Sequence, residues 1–449
     1  METALGWIAA IVALAAAVRS LRVVLTVAAG YKSKVLCTGT FVSGRVMDPQ
    51  RDPQIHDDSY ILLRPFRAQI DHDTRSVTTS LFGRAARTAR IQEGLGAALL
   101  GDTDTRAQLG PAPAVHARTT DDGWRVAAGS TALQRIVDAT FEEPSPKRRR
   151  RTQAVVVIQD GVIVAERYAA AVAADMPLPG WSMAKSVLSG LVGILVSEGR
   201  LSIDARELMP EWTAPDSRSA ISLDDLLRMR SGLQFGEQYG WPWSDVLHML
   251  YNCEDMAAFA ASCPLTTDPG RLWQYASGTT NILSRIVRRT VGDAEYWQFP
   301  QRALFDRAGM RSALLEADAS GTFVCSSYML ATARNWARYG QLWLDRGQAS
   351  DGAVFDESWV SYSTTPTPQS PNGRFGAHWW LKLNPEIGGD SDAARAIAPD
   401  TYFAVGHEAQ TITVMPSRRA VIVRLGAAIH IDAWNQAQFT AQVQEALAL

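Results

Sequence analysis

Lysine is scarce in this chain of 449 residues: it supplies five of the 44 basic residues, at positions 32, 34, 147, 185 and 382. Cysteine is scarcer still, and Cys37, Cys253, Cys263 and Cys325 form neither a Cys-x-x-Cys pair nor a framework pattern. That excludes a disulfide-stapled scaffold and a cysteine-based metal site, so free buried thiols are expected. Cys253 and Cys263 would pair only if the segment between them doubled back. The seven histidines (56, 72, 116, 248, 378, 407 and 430) never take the i, i+4 spacing of a zinc helix, and neither a metal nor an organic cofactor is expected. A net charge of −2 argues against a nucleic-acid partner. The basic run Lys147-Arg148-Arg149-Arg150-Arg151, after Pro146, reads as a solvated linker. There is no internal repeat or low-complexity tract, and 47% hydrophobic residues suffice for a large core.

Against that scarcity one lysine stands out. Ser182 and Lys185, in Pro179-Gly180-Trp181-Ser182-Met183-Ala184-Lys185-Ser186, form the only Ser-x-x-Lys in the chain. Pro177, Pro179 and Gly180 close off a strand, and Val187, Leu188, Leu191, Val192, Leu195 and Val196 recur at helical spacing until Gly199. Ser182 is therefore expected at a helix N-terminus with Lys185 on the same face, where first-turn N–H groups favour negative charge. A serine and a lysine acting together need a further hydroxyl to relay protons and backbone donors for an oxyanion. Downstream of Pro269-Gly270, Tyr275-Ala276-Ser277 opens onto the helical run Ile282, Leu283, Ile286 and Val287. Near the C-terminus, Phe403 to Val414 leads through Pro416-Ser417 to the strand Ala420 to Leu425, which reads as a β-hairpin.

These segments, in this order and spacing, resemble the motifs of the serine β-lactamase and penicillin-binding-protein superfamily, in its class C β-lactamase and DD-peptidase branch. The chain is most similar there to the nylon-oligomer (6-aminohexanoate-dimer) hydrolases and related esterases. Ser182-Met183-Ala184-Lys185 matches the first motif, Tyr275-Ala276-Ser277 the Tyr-x-Asn or Tyr-x-Ser motif, and His407-Glu408-Ala409 stands where Lys-Thr-Gly, His-Thr-Gly or His-x-Gly is usual. The segments Leu226 to Leu233 and Ser326-Ser327-Tyr328-Met329 resemble connecting segments of these hydrolases, and the likeness covers about residues 120 to 449.

The resemblance implies an α+β fold, an antiparallel sheet flanked by N- and C-terminal helices with a mainly helical inserted lobe at about 182–365. It implies acyl transfer without metal or cofactor, Ser182 attacking a carbonyl while Lys185 and Tyr275 share the proton work; which of the two is the base stays open. The oxyanion donors would be the N–H groups of Ser182 and Gln410. Ser277 and His407 would line the site. Tyr239, on the Gly- and Pro-rich loop Phe235 to Trp243, matches a loop tyrosine that touches substrate in the nylon-oligomer hydrolases. His378-Trp379-Trp380 reads as core and rim packing. Ala409 departs from the usual glycine, and the expected reading is a substitution tolerated on a strand with slack; the alternative is a methyl that crowds the acyl group and narrows the site. Glu408 is expected to disfavour a substrate carboxylate, which points to a small-molecule ester or linear amide rather than a penicillin. The alternative is a DD-peptidase or penicillin-recognising receptor with little or no turnover. An α/β-hydrolase elbow around Gly180-Trp181-Ser182 is opposed by the two prolines.

The N-terminus is apolar from Leu5 to Val18 and again from Val23 to Ala29, long enough to span a bilayer. Membrane attachment is expected, with the side of the membrane open; the alternative is a soluble N-terminal helix packed on a cytoplasmic or periplasmic body. Arg19, Arg22, Lys32 and Lys34 after the segment favour the cytoplasmic side, and no lipoprotein box precedes Cys37. The expected division is 1–30 apolar segment, 31–115 β-rich extension ending in the linker Gly110-Pro111-Ala112-Pro113, and 116–449 hydrolase domain, with the oligomeric state undetermined. Within it, strands are expected at Val35 to Val46 and Arg75 to Leu81, helices at Ala85 to Leu100 and Trp124 to Phe141, and a hairpin turning at Asp160-Gly161. A helix is expected at 432–448.

Overall fold

The computed structural model describes residues 2–56, 58–101, 123–127 and 129–447. The expected linker at 110–113 and the boundary at 116 lie outside them.

Helix α1 (Glu2–Cys37) is about 54 Å long at 1.5 Å per residue. Its first half is apolar and open to solvent, with Trp7, Ile11, Val12, Leu14, Val18 and Leu21 all exposed, and it is long and apolar enough to cross a membrane. Its second half is buried, Val27, Ala29, Leu36 and Cys37 packing into the body. The division at 30/31 thus falls inside one unbroken helix. The chain stays helical through Val42, so the strand expected at 35–46 is absent. A meander follows: β1 (Arg67–Asp71), β2 (Ser76–Leu81), β3 (Arg84–Gln92) and β4 (Gly96–Leu99), in that spatial order. The helix expected at 85–100 is thereby corrected to a hairpin; Gly94 and Gly96, both with positive φ, turn the chain back where a helix would need αR backbone.

The region that follows is built on a six-stranded sheet. Its strands are β5 (Arg125–Val126), β6 (Thr152–Gln159), β7 (Val162–Tyr168), β8 (Tyr402–Gly406), β9 (Gln410–Met415) and β10 (Ala420–Gly426), in the order β8-β9-β10-β6-β7-β5. All neighbours are antiparallel except β5 and β7. β6 and β10 are apolar on both faces because each face has its own cover. On one face Val155, Val157 and Ile422 pack with helices α2 (Thr131–Ala139) and α7 (Gln436–Ala446). On the other, Val156, Val421 and Val423 join the main core with α3 (Met183–Ser197) and α6 (Ala333–Leu344). The inserted lobe between β7 and β8 supplies α4 (Asp245–Asn252) and α5 (Ser277–Val291). A two-residue strand, Leu178–Pro179, pairs with Leu330 and Ala331, so the prolines shorten the strand before Ser182 without abolishing it.

Two lysines fasten α1 to this body. Lys32 Nζ donates to the Phe66 carbonyl at 2.6 Å. Lys34 Nζ pairs with the Glu316 carboxylate of the lobe, both fully buried. Thr38 Oγ1 and Ala97 N also donate to Glu316 Oε1, at 3.0 and 2.7 Å, so helix and meander converge on one buried carboxylate. These two lysines are thus buried partners of the body rather than free charges following the apolar segment. Gly30 lies where a Cβ would come 2.3 Å from the Tyr251 carbonyl at the end of α4, so only glycine permits that close packing. The four cysteines are free. Replacing Lys34 by Met strands Glu316 in the interior and is expected to lose about 3–5 kcal/mol in urea unfolding. Lys382→Met, at a surface lysine, serves as control and is expected to change stability by under about 0.5 kcal/mol.

Candidate active site

Ser182 stands at the N-cap of α3 with αR backbone, and its hydroxyl caps nothing. Trp181, just before it, holds φ +50, a left-handed turn that swings the chain from the short strand into the helix. Three residues on, the Lys185 side chain is buried and its Nζ makes three contacts: Ser182 Oγ at 2.8 Å, Ser277 Oγ at 3.0 Å and the Ser326 carbonyl at 2.8 Å. Burial pushes the Lys185 pKa down to about 8, opposed by the negative charge of Glu237. The Tyr275 ring lies 4.9 Å from Nζ. Burial and Glu237 push the Tyr275 hydroxyl upward, opposed by a hydrogen bond with Ser182.

Glu237, which the sequence reading passed over, completes this group. Its Oε1 accepts from Ser277 Oγ at 2.6 Å and its Oε2 from Ser277 N at 2.8 Å, so the carboxylate caps α5. Burial pushes its pKa up, opposed by Lys185. The donor count then fixes direction. Ser277 has one hydroxyl hydrogen, given to Glu237, so toward Lys185 it can only accept; the Ser326 carbonyl also only accepts. Ser182 is the one partner of Nζ able to reverse roles. An ammonium donates to all three; a neutral amine donates to two and turns its lone pair to the Ser182 proton.

The third motif departs from expectation. His407–Ala409 is not strand but the tight turn joining β8 and β9, with Glu408 at φ 59 and Ala409 at φ 64, as in a type I′ turn. Ala409 is fully buried in the core between the sheet and α2 and α7, so its methyl faces away from Ser182 and does not crowd an acyl group. The glycine usual there is explained by positive φ. Left-handed backbone turns the carbonyls of 408 and 409 inward, where the buried Arg424 Nη1 donates to both at 3.0 Å. A lone arginine in an otherwise apolar strand was the signal for this prop. Gln410 N–H donates to the His407 carbonyl, so the expected second oxyanion donor is engaged within the turn. The Gln410 side chain bonds to both backbone groups of Gly426 instead of facing the site.

His407 and Tyr239 do meet in the site, their rings stacked at 5.1 Å, and the Tyr239 hydroxyl donates to Glu237 Oε1 at 3.4 Å. Trp181 meets the other side of His407 at 5.6 Å. Burial pushes the His407 pKa down to about 4, leaving a neutral ring. Glu408 is buried and looks elsewhere: Tyr60 of the N-terminal extension donates to its Oε1 at 3.5 Å, and Tyr60 stacks on Tyr31 of α1 at 5.1 Å. Burial lifts its pKa to about 7, opposed first by the Trp181 indole and then by Arg151, Arg424 and Arg45. His378 is core packing, its Nδ1 on the Leu227 carbonyl at 2.7 Å and its Nε2 on Thr280 at 3.0 Å. Among the described residues no group of histidine, cysteine or acidic side chains is placed to hold a metal.

A family model described as Beta-lactamase matches residues 137–432, well over half the chain. A 6-aminohexanoate-dimer hydrolase of Paenarthrobacter ureafaciens is 26% identical over 301 residues, 62% of this chain and 72% of that protein. Among solved structures, a Bacillus anthracis protein provisionally described as a 6-aminohexanoate-dimer hydrolase superposes with a TM-score of 0.56 at 18% identity, over 72% of this chain and 85% of that one. A family VIII carboxylesterase gives 0.55 at 14% identity, over 72% and 98%. These likenesses in structure show the fold.

Ala409→Gly is expected to leave ester turnover within about twofold and stability within about 1 kcal/mol, because relief of the left-handed strain offsets the lost methyl burial. Ala409→Val puts a β-branched residue at that φ and is expected to cost about 1–3 kcal/mol in thermal or urea unfolding. A large gain in turnover for Ala409→Gly would return the methyl to the acyl pocket.

Proposed function

The chain belongs to the beta-lactamase family, and on that premise we propose that it is a serine hydrolase that cleaves esters or linear amides through an acyl-enzyme on Ser182. The observation that carries the reading is the seating of Lys185, in which Ser182 alone of the three partners can hand over a proton. Lys185 is assigned as general base over Tyr275, since burial lowers the lysine toward neutral pH and raises the tyrosine away from it.

Ser182 Oγ attacks the carbonyl carbon as its proton moves to Lys185 Nζ. The Ser182 N–H, which has no acceptor among the described residues, faces the developing oxyanion, such a donor being worth about 10²- to 10³-fold in rate. Collapse expels the alcohol or amine, protonated through Tyr275, whose proton Lys185 restores. Water then attacks the acyl-enzyme, giving its proton to Lys185 and releasing the acid as Ser182 regains its hydrogen. Glu237 holds Ser277 as an acceptor throughout. The relatives' names supply both an amide and an ester class, and neutral His407 offers no charge to a penicillin carboxylate. We also propose that α1 anchors the protein to a membrane.

The test uses the full chain in detergent micelles, because α1 is part of the core. With a p-nitrophenyl short-chain ester, intact mass should show an acyl adduct that Ser182→Ala abolishes; equal labelling of both would sink the nucleophile. A lasting penicillin adduct without ester turnover would favour the receptor reading. The acylation rate should rise about tenfold per pH unit below pH 8 and level off above, as Lys185 loses its proton. In Glu237→Gln the charge that raises the Lys185 pKa is gone, so the rising limb should move to lower pH. A limb that stays in place would show that Glu237 is only a helix cap.

A further inference from the structure

Large apolar side chains normally stay out of water, yet several are exposed around the catalytic mouth. Trp241 and Trp243, at 57% and 46% exposure, lie two and four residues beyond Tyr239, their rings 4.9 Å apart. Ile61 and Leu62, at 52% and 73%, directly follow Tyr60. Tyr239 stacks on His407, and Tyr60 meets Glu408, so each exposed pair lies a few residues along the chain from a tyrosine that touches the third-motif turn. Both belong to short segments whose neighbouring tyrosine points inward.

The exposed half of α1 leaves the body beside them. Tyr31 stacks on Tyr60, and Leu21, the last exposed large apolar residue of the helix, lies about 15 Å back along its axis. Gly30 of α1 touches Tyr251, at the end of α4. Trp241 and Trp243 immediately precede the start of α4, and α1 becomes exposed in the turns near Arg19 and Arg22. A span of apolar helix, two arginines after it, and a pair of exposed tryptophans are what a bilayer and its headgroup layer accommodate.

We propose that the catalytic mouth opens at the bilayer surface, with Trp241, Trp243, Ile61 and Leu62 in the headgroup layer, and that the acyl donor is an amphiphilic ester or amide that partitions into the membrane. The proposal rests on the serine-hydrolase reading. It assigns the exposed apolar rim a partner, and it gives the rigid docking of α1 a purpose: a helix locked into the core fixes the height of Ser182 above the membrane, which a flexible linker does not.

The experiment compares two substrates on the full chain reconstituted into phosphatidylcholine–phosphatidylglycerol vesicles: a water-soluble p-nitrophenyl short-chain ester, and the p-nitrophenyl ester of a long-chain acid dissolved in the same bilayer. Ile61→Ser/Leu62→Ser and Trp241→Ser/Trp243→Ser, all at exposed positions, are measured beside the wild type. The expected result is that each double variant keeps soluble-ester turnover within about twofold and loses fivefold or more on the bilayer-dissolved ester. Wild type that ignores the bilayer-dissolved ester, or variants that turn over both as wild type does, would overturn the membrane proposal and leave the hydrolase reading standing. Absence of soluble-ester turnover and of a Ser182 adduct would remove both.

Discussion

A lysine amine deprived of water is the constraint around which the site is built. Isolated, such a charge is not tolerated in the interior; here three acceptors reach it from three parts of the chain, Ser182 on α3, Ser277 on α5 and the carbonyl of Ser326 from the segment before Met329. The seat matches both protonation states, since three donors find three acceptors and a neutral amine finds one reversible hydroxyl. Each partner is in turn held. Ser277 is fixed by Glu237 through hydroxyl and backbone, and Ser326 N donates to the Asn281 side chain at 3.2 Å. Moving any one of these elements would leave a buried polar group unpaired, so the reactive geometry and the packing of the lobe are the same problem.

The N-terminal extension enters that problem from outside. Glu316, which gathers Lys34, Thr38 and Ala97, lies across from Tyr328, its N–H donating to the Tyr328 carbonyl at 2.8 Å. Tyr328 follows Ser326 by two residues, and its hydroxyl reaches the Leu250 carbonyl at 2.7 Å. The carbonyl that holds Lys185 thus stands on a segment pinned from below by α1 and β4. Tyr31 and Tyr60 meet the same core on the side of the His407 turn. An extension that carries no catalytic group nonetheless shares a hydrogen-bond network with the residues that do.

Local chemistry was legible in the sequence and distant chemistry was not. Ser182 with Lys185, and Tyr275 with Ser277, announce themselves because helix geometry ties spacing to contact, and Asp160-Gly161 predicts its turn for the same reason. Glu237 had no such signature: it reaches Ser277 across forty residues from a loop, and nothing in Phe235 to Trp243 ranks it above Tyr239. Lys32 and Lys34 were misjudged because charge after an apolar run suggests a membrane flank unless the buried partners, Phe66 and Glu316, are known. The stretch Ala85 to Leu100 carries mixed periodicity, and its glycines decided for the hairpin. At Ala409 the weighing was between slack and a steric clash, whereas the quantity that sets the position is a backbone angle, φ 64, which the residue name alone does not reveal.

That angle also bears on what the site can recognise. Two consecutive left-handed residues send the Glu408 side chain toward Tyr60, the Trp181 indole and the arginines at 45, 151 and 424, while among the described residues the charged neighbour of Lys185 is Glu237. The turn therefore presents to the cleft neither an acid nor, with His407 neutral, a cation. What remains around Ser182 is aromatic: Trp181, Tyr239 and Tyr275, each only partly buried, and the imidazole of His407. Such a wall favours an acyl group by area and shape and gives little to a charged one. Discrimination by buried apolar area grows with each added methylene, about 0.8 kcal/mol at most, so a cleft of this composition gains more from a long acyl chain than from any single polar substituent.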